Sequence, residues 1–161
     1  MKLAIVPGSF DPMTNGHLDL IRRAARLFDR VVAVVMDNRE KHYLFSRDER
    51  FALVRESVAD IPGVDADVWA GMLWEYVRDC GACAIVKGVR STGDLVYEVL
   101  QARFNEQQWA GAQTIFLPAA PGLENLSSSE LRRRAAAGQD ISGLASPAVC
   151  RALLEKYHRE Q

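Results

Sequence analysis

Three cysteines among 161 residues are too few, and odd in number, for a disulfide framework, and they fit a reducing compartment; a cytoplasmic protein is expected. No apolar run approaches the length that crosses a bilayer. The first residues enter a strand pattern at once, so neither a secretory leader nor membrane association is expected. Charge of one sign is lacking as well, with 20 Lys+Arg against 21 Asp+Glu and a formal net charge of −1. Such a balance gives no general electrostatic grip on nucleic acid or an anionic membrane, so any anion must be held by a local cluster. The two common phosphate loops are missing: no Gly-Lys-Ser/Thr closes a Walker A loop, and no Gly-x-Gly-x-x-Gly occurs. No internal repeat or low-complexity linker divides the chain, although Arg132-Arg133-Arg134-Ala135-Ala136-Ala137 is locally biased.

One pattern invites a metal or redox reading and then fails to support it. Cys80-Gly81-Ala82-Cys83 matches C-x-x-C, but a structural zinc needs four ligands and there is no second pair. His42 and His158 lie far off in unlike contexts. The pair reads as two incidental thiols straddling a helix end and a strand start, and no protein-held metal is expected.

What the chain does contain is a single domain's worth of alternating elements, residues 1–161. It is 48% hydrophobic and 25% charged, ordinary for a globular protein able to bury a core. Leu3-Ala4-Ile5-Val6 reads as a buried strand, and the spacing of Leu18, Leu20, Ile21, Ala24, Ala25, Leu27 and Phe28 as an amphipathic helix. Val31 to Met36 is a β-branched strand, followed by a polar loop over 37–43. Ser46-Arg47-Asp48-Glu49 has capping-box spacing and opens a helix to about Ala59. Val64 to Trp69 is a partly exposed strand, Met72 to Asp79 a helix, and Ala84-Ile85-Val86 a buried strand. A helix from Asp94 to about Gln108 leads to a fifth strand, Gln113 to Leu117. Ser127 and Glu130 repeat the capping-box spacing, Gly138 ends that helix, and Ser146-Pro147 starts the last one. Strands alternating with helices predict an α/β protein with an open, doubly wound parallel sheet of about five strands, whose ligands sit at the strands' carboxyl ends.

At those ends the chemistry collects. The first strand leads into Pro7-Gly8-Ser9-Phe10-Asp11-Pro12-Met13-Thr14-Asn15-Gly16-His17, a loop of small residues feeding a helix N-terminus. Backbone N–H groups and a helix's positive end suit an anion there, and His17 falls in the first helical turn, aimed at it. The second strand yields Lys41, the fourth Lys87-Gly88-Val89-Arg90, and the fifth the loop before Ser127-Ser128-Ser129. Each cation alone would read as a solvated surface charge. An imidazole, two lysines, an arginine and helix N-termini at one address suit a polyphosphate, because nucleotidyl transfer needs mainly positioning and charge neutralisation.

The string Gly8-Ser9-Phe10-Asp11-Pro12-Met13-Thr14-Asn15-Gly16-His17 resembles the nucleotidylyltransferase superfamily with its T/H-x-G-H motif, which has a Rossmann-like fold. Lys87-Gly88-Val89-Arg90-Ser91-Thr92-Gly93-Asp94-Leu95-Val96-Tyr97-Glu98 is similar to a stretch of the phosphopantetheine adenylyltransferases. With the Ser127-Ser128-Ser129 helix start, the resemblance covers essentially the whole chain. It implies adenylyl transfer from ATP to 4′-phosphopantetheine, giving dephospho-coenzyme A and pyrophosphate, with Mg2+ bound mainly through the ATP phosphates. It also implies catalytic roles for His17, at the α-phosphate, and for Lys41 and Lys87, around the reacting phosphates and the pantetheine phosphate. Ser9 matches a contact to both substrates, with Phe10 beside it in the ATP site, and Leu73 a contact to the pantetheine arm. Gly88, Val89, Arg90 and Glu98 match ATP contacts, as do Leu123, Glu124, Asn125, Leu126, Ser127, Ser128 and Ser129. A homohexamer is implied, and apolar positions on the helix after Asp94 would serve subunit packing or an intramolecular face equally.

Three departures stand out. Thr14 replaces the first histidine of many relatives outside this branch. Lys87 replaces the commoner Arg, exchanging a bidentate fork for a point charge. Leu123-Glu124-Asn125-Leu126 lacks the aromatics often found before the serines and adds a negative charge. Two rival readings remain. Ser127 to Arg132 also resembles the form found in nicotinamide mononucleotide adenylyltransferases, and the same fold could serve as a catalytically idle nucleotide-binding module.

Overall fold

The structure, a computed structural model, describes residues 1–38 and 40–158. Arg39, within the polar loop expected over 37–43, and residues 159–161, at the end of the expected domain, lie outside the described residues. Among the described residues five strands, β1 (Leu3–Gly8), β2 (Arg30–Met36), β3 (Val64–Trp69), β4 (Ala84–Val89) and β5 (Thr114–Pro118), form one sheet in the order β3-β2-β1-β4-β5. Every neighbouring pair is parallel. Among the described residues six helices cover it: α1 (Asn15–Ala24), α2 (Arg47–Val58), α3 (Leu73–Cys80), α4 (Thr92–Gln108), α5 (Ser128–Ala136) and α6 (Pro147–His158). The fold is therefore the expected doubly wound α/β architecture. None of the described helices is long and apolar enough to cross a membrane.

Strand alternation divides the core between the two faces of the sheet. Ala4, Val6, Val31, Ala33 and Val35 pack with Leu18 and Ile21 of α1 and Val54 and Val58 of α2. Ile5, Val34 and Ile85 point the other way, toward Tyr76 and Val77 of α3. A third cluster joins Phe45 to Leu131 of α5 and Val149 and Leu153 of α6, and Ser128 and Arg132 of α5 donate to the Pro12 and Asp11 carbonyls of the β1–α1 loop. The strand order reverses between β1 and β4, so the loops leaving those strands diverge and open a crevice there.

Several boundaries differ from expectation, each for a tertiary reason. Helix α1 stops at Ala24 instead of running to Phe28, and Leu27 is 59% exposed. The chain must leave the helix there because the Asp29 and Arg30 N–H groups both donate to Lys2 O, at 3.0 and 3.2 Å, to start β2 beside β1. Strand β1 runs on through Pro7 and Gly8, paired with Val34 and Val35, so the phosphate-type loop begins at Ser9. Strand β4 continues through Lys87, Gly88 and Val89, which pair with Phe116, Leu117 and Pro118 of β5. Those three residues are strand, not the loop expected after it. Ser46 and Glu49 make the full capping box, whereas at Ser127 only half forms. Ser127 Oγ accepts the Glu130 N–H at 3.1 Å, but the Glu130 carboxylate turns to Arg133 and Arg134, which hold its pKa down at about 2.

Candidate active site

A cleft of about 1190 Å³ opens at the carboxyl ends of the strands. It is lined by Ser9, His17, Lys41, Leu73, Lys87 to Arg90, Glu98 and Ser127 to Ser129, so the topology brings together residues up to 120 positions apart. Leu123 and Leu126 also line it; Glu124 and Asn125 do not. Glu124 bends back instead, its Oε2 accepting the Gly122 N–H at 2.8 Å.

The floor is set by a turn with an unusual backbone. Phe10 has φ 47, in the left-handed region, which folds its ring back under Gly8. A Cβ at Gly8 would lie 2.9 Å from Phe10 Cζ, so glycine is required for that packing. Phe10 is 2% exposed and meets His17 edge-on, centroids 5.2 Å apart and planes at 83°. Its ring thus supports the histidine, leaving little side chain for a nucleotide.

His17 sits at the third position of α1 and completes a capping box with Thr14. The Thr14 N–H donates to His17 Nδ1 at 3.0 Å, and Thr14 Oγ1 lies 3.1 Å from the same nitrogen. A backbone N–H can only donate, so Nδ1 accepts and the ring proton resides on Nε2. Burial, and then the charges of Arg90 and Lys87, lower its pKa from 6.5 to about 4. The cleft therefore presents a neutral imidazole with one fixed N–H donor.

Around it, cations and carboxylates are paired. Lys87 Nζ lies 3.2 Å from Glu98 Oε2, a buried oxygen without a described hydrogen bond, and Arg90 Nε donates to Asp94 Oδ2 at 3.2 Å. Two residues expected to meet ligand separately, Lys87 and Glu98, thus hold each other. Lys41 is exposed on the β2–α2 loop. Of the three serines, Ser127 is spent on its helix cap and Ser128 Oγ donates to Pro12 O at 2.7 Å. Ser129 Oγ, 3.3 Å from Arg132 Nη2, and the backbone N–H groups of the helix start remain for a ligand. Among the described residues no group of three or more His, Cys, Asp or Glu side chains is arranged to hold a metal ion. Asp11, Asp19, Asp37, Asp94 and Glu98 each sit beside an Arg or Lys instead. Cys80 and Cys83 are both free, away from the cleft, and burial pushes the Cys80 thiol up.

Several contributors went unseen in the sequence. Arg50, on α2, is 1% exposed; it donates to Ser9 O at 2.7 Å and Met36 O at 3.2 Å and pairs with Asp37. The signal was there, since Arg50 heads the buried stripe Arg50, Val54, Val58 at helical spacing. Asp11, also buried, accepts the N–H groups of Leu44 and Phe45 at 2.9 Å each, while Arg132 donates to its carbonyl. The β1–α1 loop, the Lys41 loop and α5 are thereby tied at one aspartate. Arg23 Nη1 donates to Pro118 O at 2.7 Å, pinning the root of the loop that holds Leu123 and Leu126.

Comparison with known proteins shows the family and the fold that this chain shares. The cytidylyltransferase-like family matches residues 5–134. A phosphopantetheine adenylyltransferase of Moorella thermoacetica is 45% identical over 157 residues, covering 98% of each chain. That of Pseudarthrobacter chlorophenolicus is 44% identical over 96% of this chain and 93% of its own. That of Geotalea daltonii is 40% identical over 99% of both. A solved Vibrio parahaemolyticus protein, described as a nicotinate-nucleotide adenylyltransferase, superposes with a TM-score of 0.72 over 100% of this chain and 98% of its own. At 20% identity it speaks for the fold alone.

Proposed function

The chain belongs to the phosphopantetheine adenylyltransferase branch of the cytidylyltransferase-like family, and from that premise we propose how its residues divide the work. The activity is adenylyl transfer in coenzyme A synthesis, with ATP and phosphopantetheine as substrates. An oxygen of the pantetheine phosphate attacks the α-phosphorus of ATP. The bond from that phosphorus to the bridging oxygen breaks, and pyrophosphate leaves with the electron pair. The neutral His17, its Nε2–H fixed by the Thr14 cap, donates to the α-phosphate oxygen on which charge grows. Lys41 and Lys87 neutralise the reacting phosphates, and Ser9 lies between the two substrates. Gly88, Val89 and Arg90 border the nucleotide, whose phosphates meet the N-terminus of α5 through its N–H groups. Leu73 meets the pantetheine arm. The fixed neutral histidine, set among cations at the switch point of the sheet, is the observation that carries this reading.

Mg2+ belongs on the nucleotide rather than in a protein cage. Asp37, Asp94 and Glu98 of the cleft are engaged with Arg and Lys, and Glu75 accepts the Met72 N–H, which fits an ion held through ATP phosphates and water. When bound, it adds charge neutralisation on the leaving phosphates. Pyrophosphate release on mixing ATP with phosphopantetheine, against a parallel mixture with nicotinamide mononucleotide, tests the substrate assignment. Release with the mononucleotide alone would overturn it.

Adenine recognition falls to backbone groups. Leu123 and Leu126 reach the cleft with apolar side chains, and Asn125 does not line it. Asn125→Ala is therefore expected to leave the ratio of kcat/KM for ATP over CTP unchanged. A collapse of that ratio would make the Asn125 amide the reader.

A homohexamer is also proposed, in a cytoplasmic setting. Leu95, Val96, Tyr97, Leu100 and Phe104 of α4 and Ile115 of β5 are exposed, and Asn105 is the buried residue of that helix. Tyr97 and Phe104 line the cleft, whereas Leu95, Val96 and Leu100 do not, and an exposed apolar group of that kind supports packing against a second copy. Leu100, 58% exposed, is the position to charge. Leu100→Glu is expected to shift the mass seen by light scattering toward that of a smaller assembly.

A further inference from the structure

The loop carrying Lys41 is tied down through one phenol. The Asn38 N–H donates to the Tyr43 hydroxyl at 2.6 Å. That hydroxyl lies 3.3 Å from Ser9 Oγ and 3.4 Å from Asn38 O. A phenol has one proton to give and lone pairs to receive. Having accepted from Asn38, it directs its proton to Ser9 or back to Asn38 O, and so spans the ends of β1 and β2. The Lys41 N–H donates to Asn38 O at 3.0 Å, which makes Asn38 the pivot of the turn. The Tyr43 ring in turn rests on the Arg50 guanidinium, 4.1 Å from its centroid. That guanidinium is buried and fixed by Ser9 O, Met36 O and Asp37, so it cannot follow a displaced ring without leaving charge unpaired.

We propose that Tyr43, resting on Arg50, is the positioning residue that sets the Lys41 turn against Ser9 for the phosphate of the acceptor substrate. Lysine is long and flexible, and its ordering on binding costs side-chain entropy. A turn already fixed relative to Ser9 lowers that cost and places the ammonium group before the substrate arrives. The assignment rests on the reading of Lys41 as a phosphate ligand.

The test is a double-mutant cycle on the full chain, with Tyr43→Phe, Lys41→Ala and the pair. Tyr43→Phe deletes one oxygen and keeps the ring on Arg50. It is expected to raise KM for phosphopantetheine about tenfold, the scale of one hydrogen bond that places a charge, with the Kd for ATP unchanged by calorimetry. With Lys41→Ala in place, Tyr43→Phe should cost almost nothing more, because the group it positions is gone. If Lys41→Ala is costly and Tyr43→Phe adds to it in full, or if Tyr43→Phe leaves KM unchanged, the positioning role is wrong. If Lys41→Ala itself leaves KM unchanged, the phosphate reading of Lys41 falls and takes the proposal with it.

Discussion

Replacing His17 by alanine is expected to lower kcat by about 10²–10³, the cost of losing one preorganised donor to developing charge. The Michaelis constant for ATP should move much less, since the proposed hydrogen bond would strengthen as the α-phosphate approaches its transition state. The substitution also removes half of the Thr14 capping box, at a cost of about 1 kcal/mol in stability. Thermal unfolding therefore has to be read beside the rate: a modest loss of stability with a large loss of kcat is the expected combination. The pH dependence sharpens the case. With its pKa lowered to about 4 against 6.5 in the unfolded chain, His17 stays neutral throughout the physiological range. Its Nε2–H is then present at every pH above about 5, and kcat should show no inflection near 6.5 from this ring. The same depression means that stability is fully present above 6.5 and is lost as pH falls toward 4, because there the unfolded chain takes a proton the folded one refuses. Near-normal kcat in His17→Ala, or a ring that titrates near 6.5 by NMR, would sink the assignment.

Lys87→Ala is expected to lower kcat/KM for phosphopantetheine by about 10²-fold, more than the loss of one solvated lysine. The reason is the carboxylate left behind. Glu98 Oε2 is buried 3.2 Å from Lys87 Nζ, and without the ammonium it would face the substrate phosphates as an uncompensated negative charge. Adding Glu98→Gln to Lys87→Ala should recover about tenfold of the loss by removing that repulsion. Lys87→Arg should be mild, because the guanidinium keeps the charge and can serve both the carboxylate and a phosphate. Dephosphorylated pantetheine should suffer less than phosphopantetheine from Lys87→Ala. Equal losses for the two ligands, with no recovery in the double variant, would remove Lys87 from the phosphate site.

The order of elements, the parallel sheet and the phosphate-type loop were legible in the sequence because each rests on local chemistry. β-branched runs such as Val31 to Met36 have one use in a doubly covered sheet. Ser46 caps a helix through a residue three positions away, and the glycines and Thr14 before His17 shape a turn within ten residues. Tertiary structure decided the rest, because the partners lie far apart in the chain. Strand β4 runs on through Lys87 to Val89 only because Phe116 to Pro118 of β5 lie alongside. Lys87 and Glu98 neutralise each other, and Arg132 reaches Asp11 across 121 positions. A local pattern can say that Arg50 sits on an apolar stripe, but not that Ser9 O, Met36 O and Tyr43 wait for it. The same holds for the apolar face of α4, which spacing alone assigned equally to the core or to a partner, and which the fold left in solvent. Side-chain periodicity records how often a residue turns toward a given side; what stands on that side is settled only when the whole sheet has closed around it.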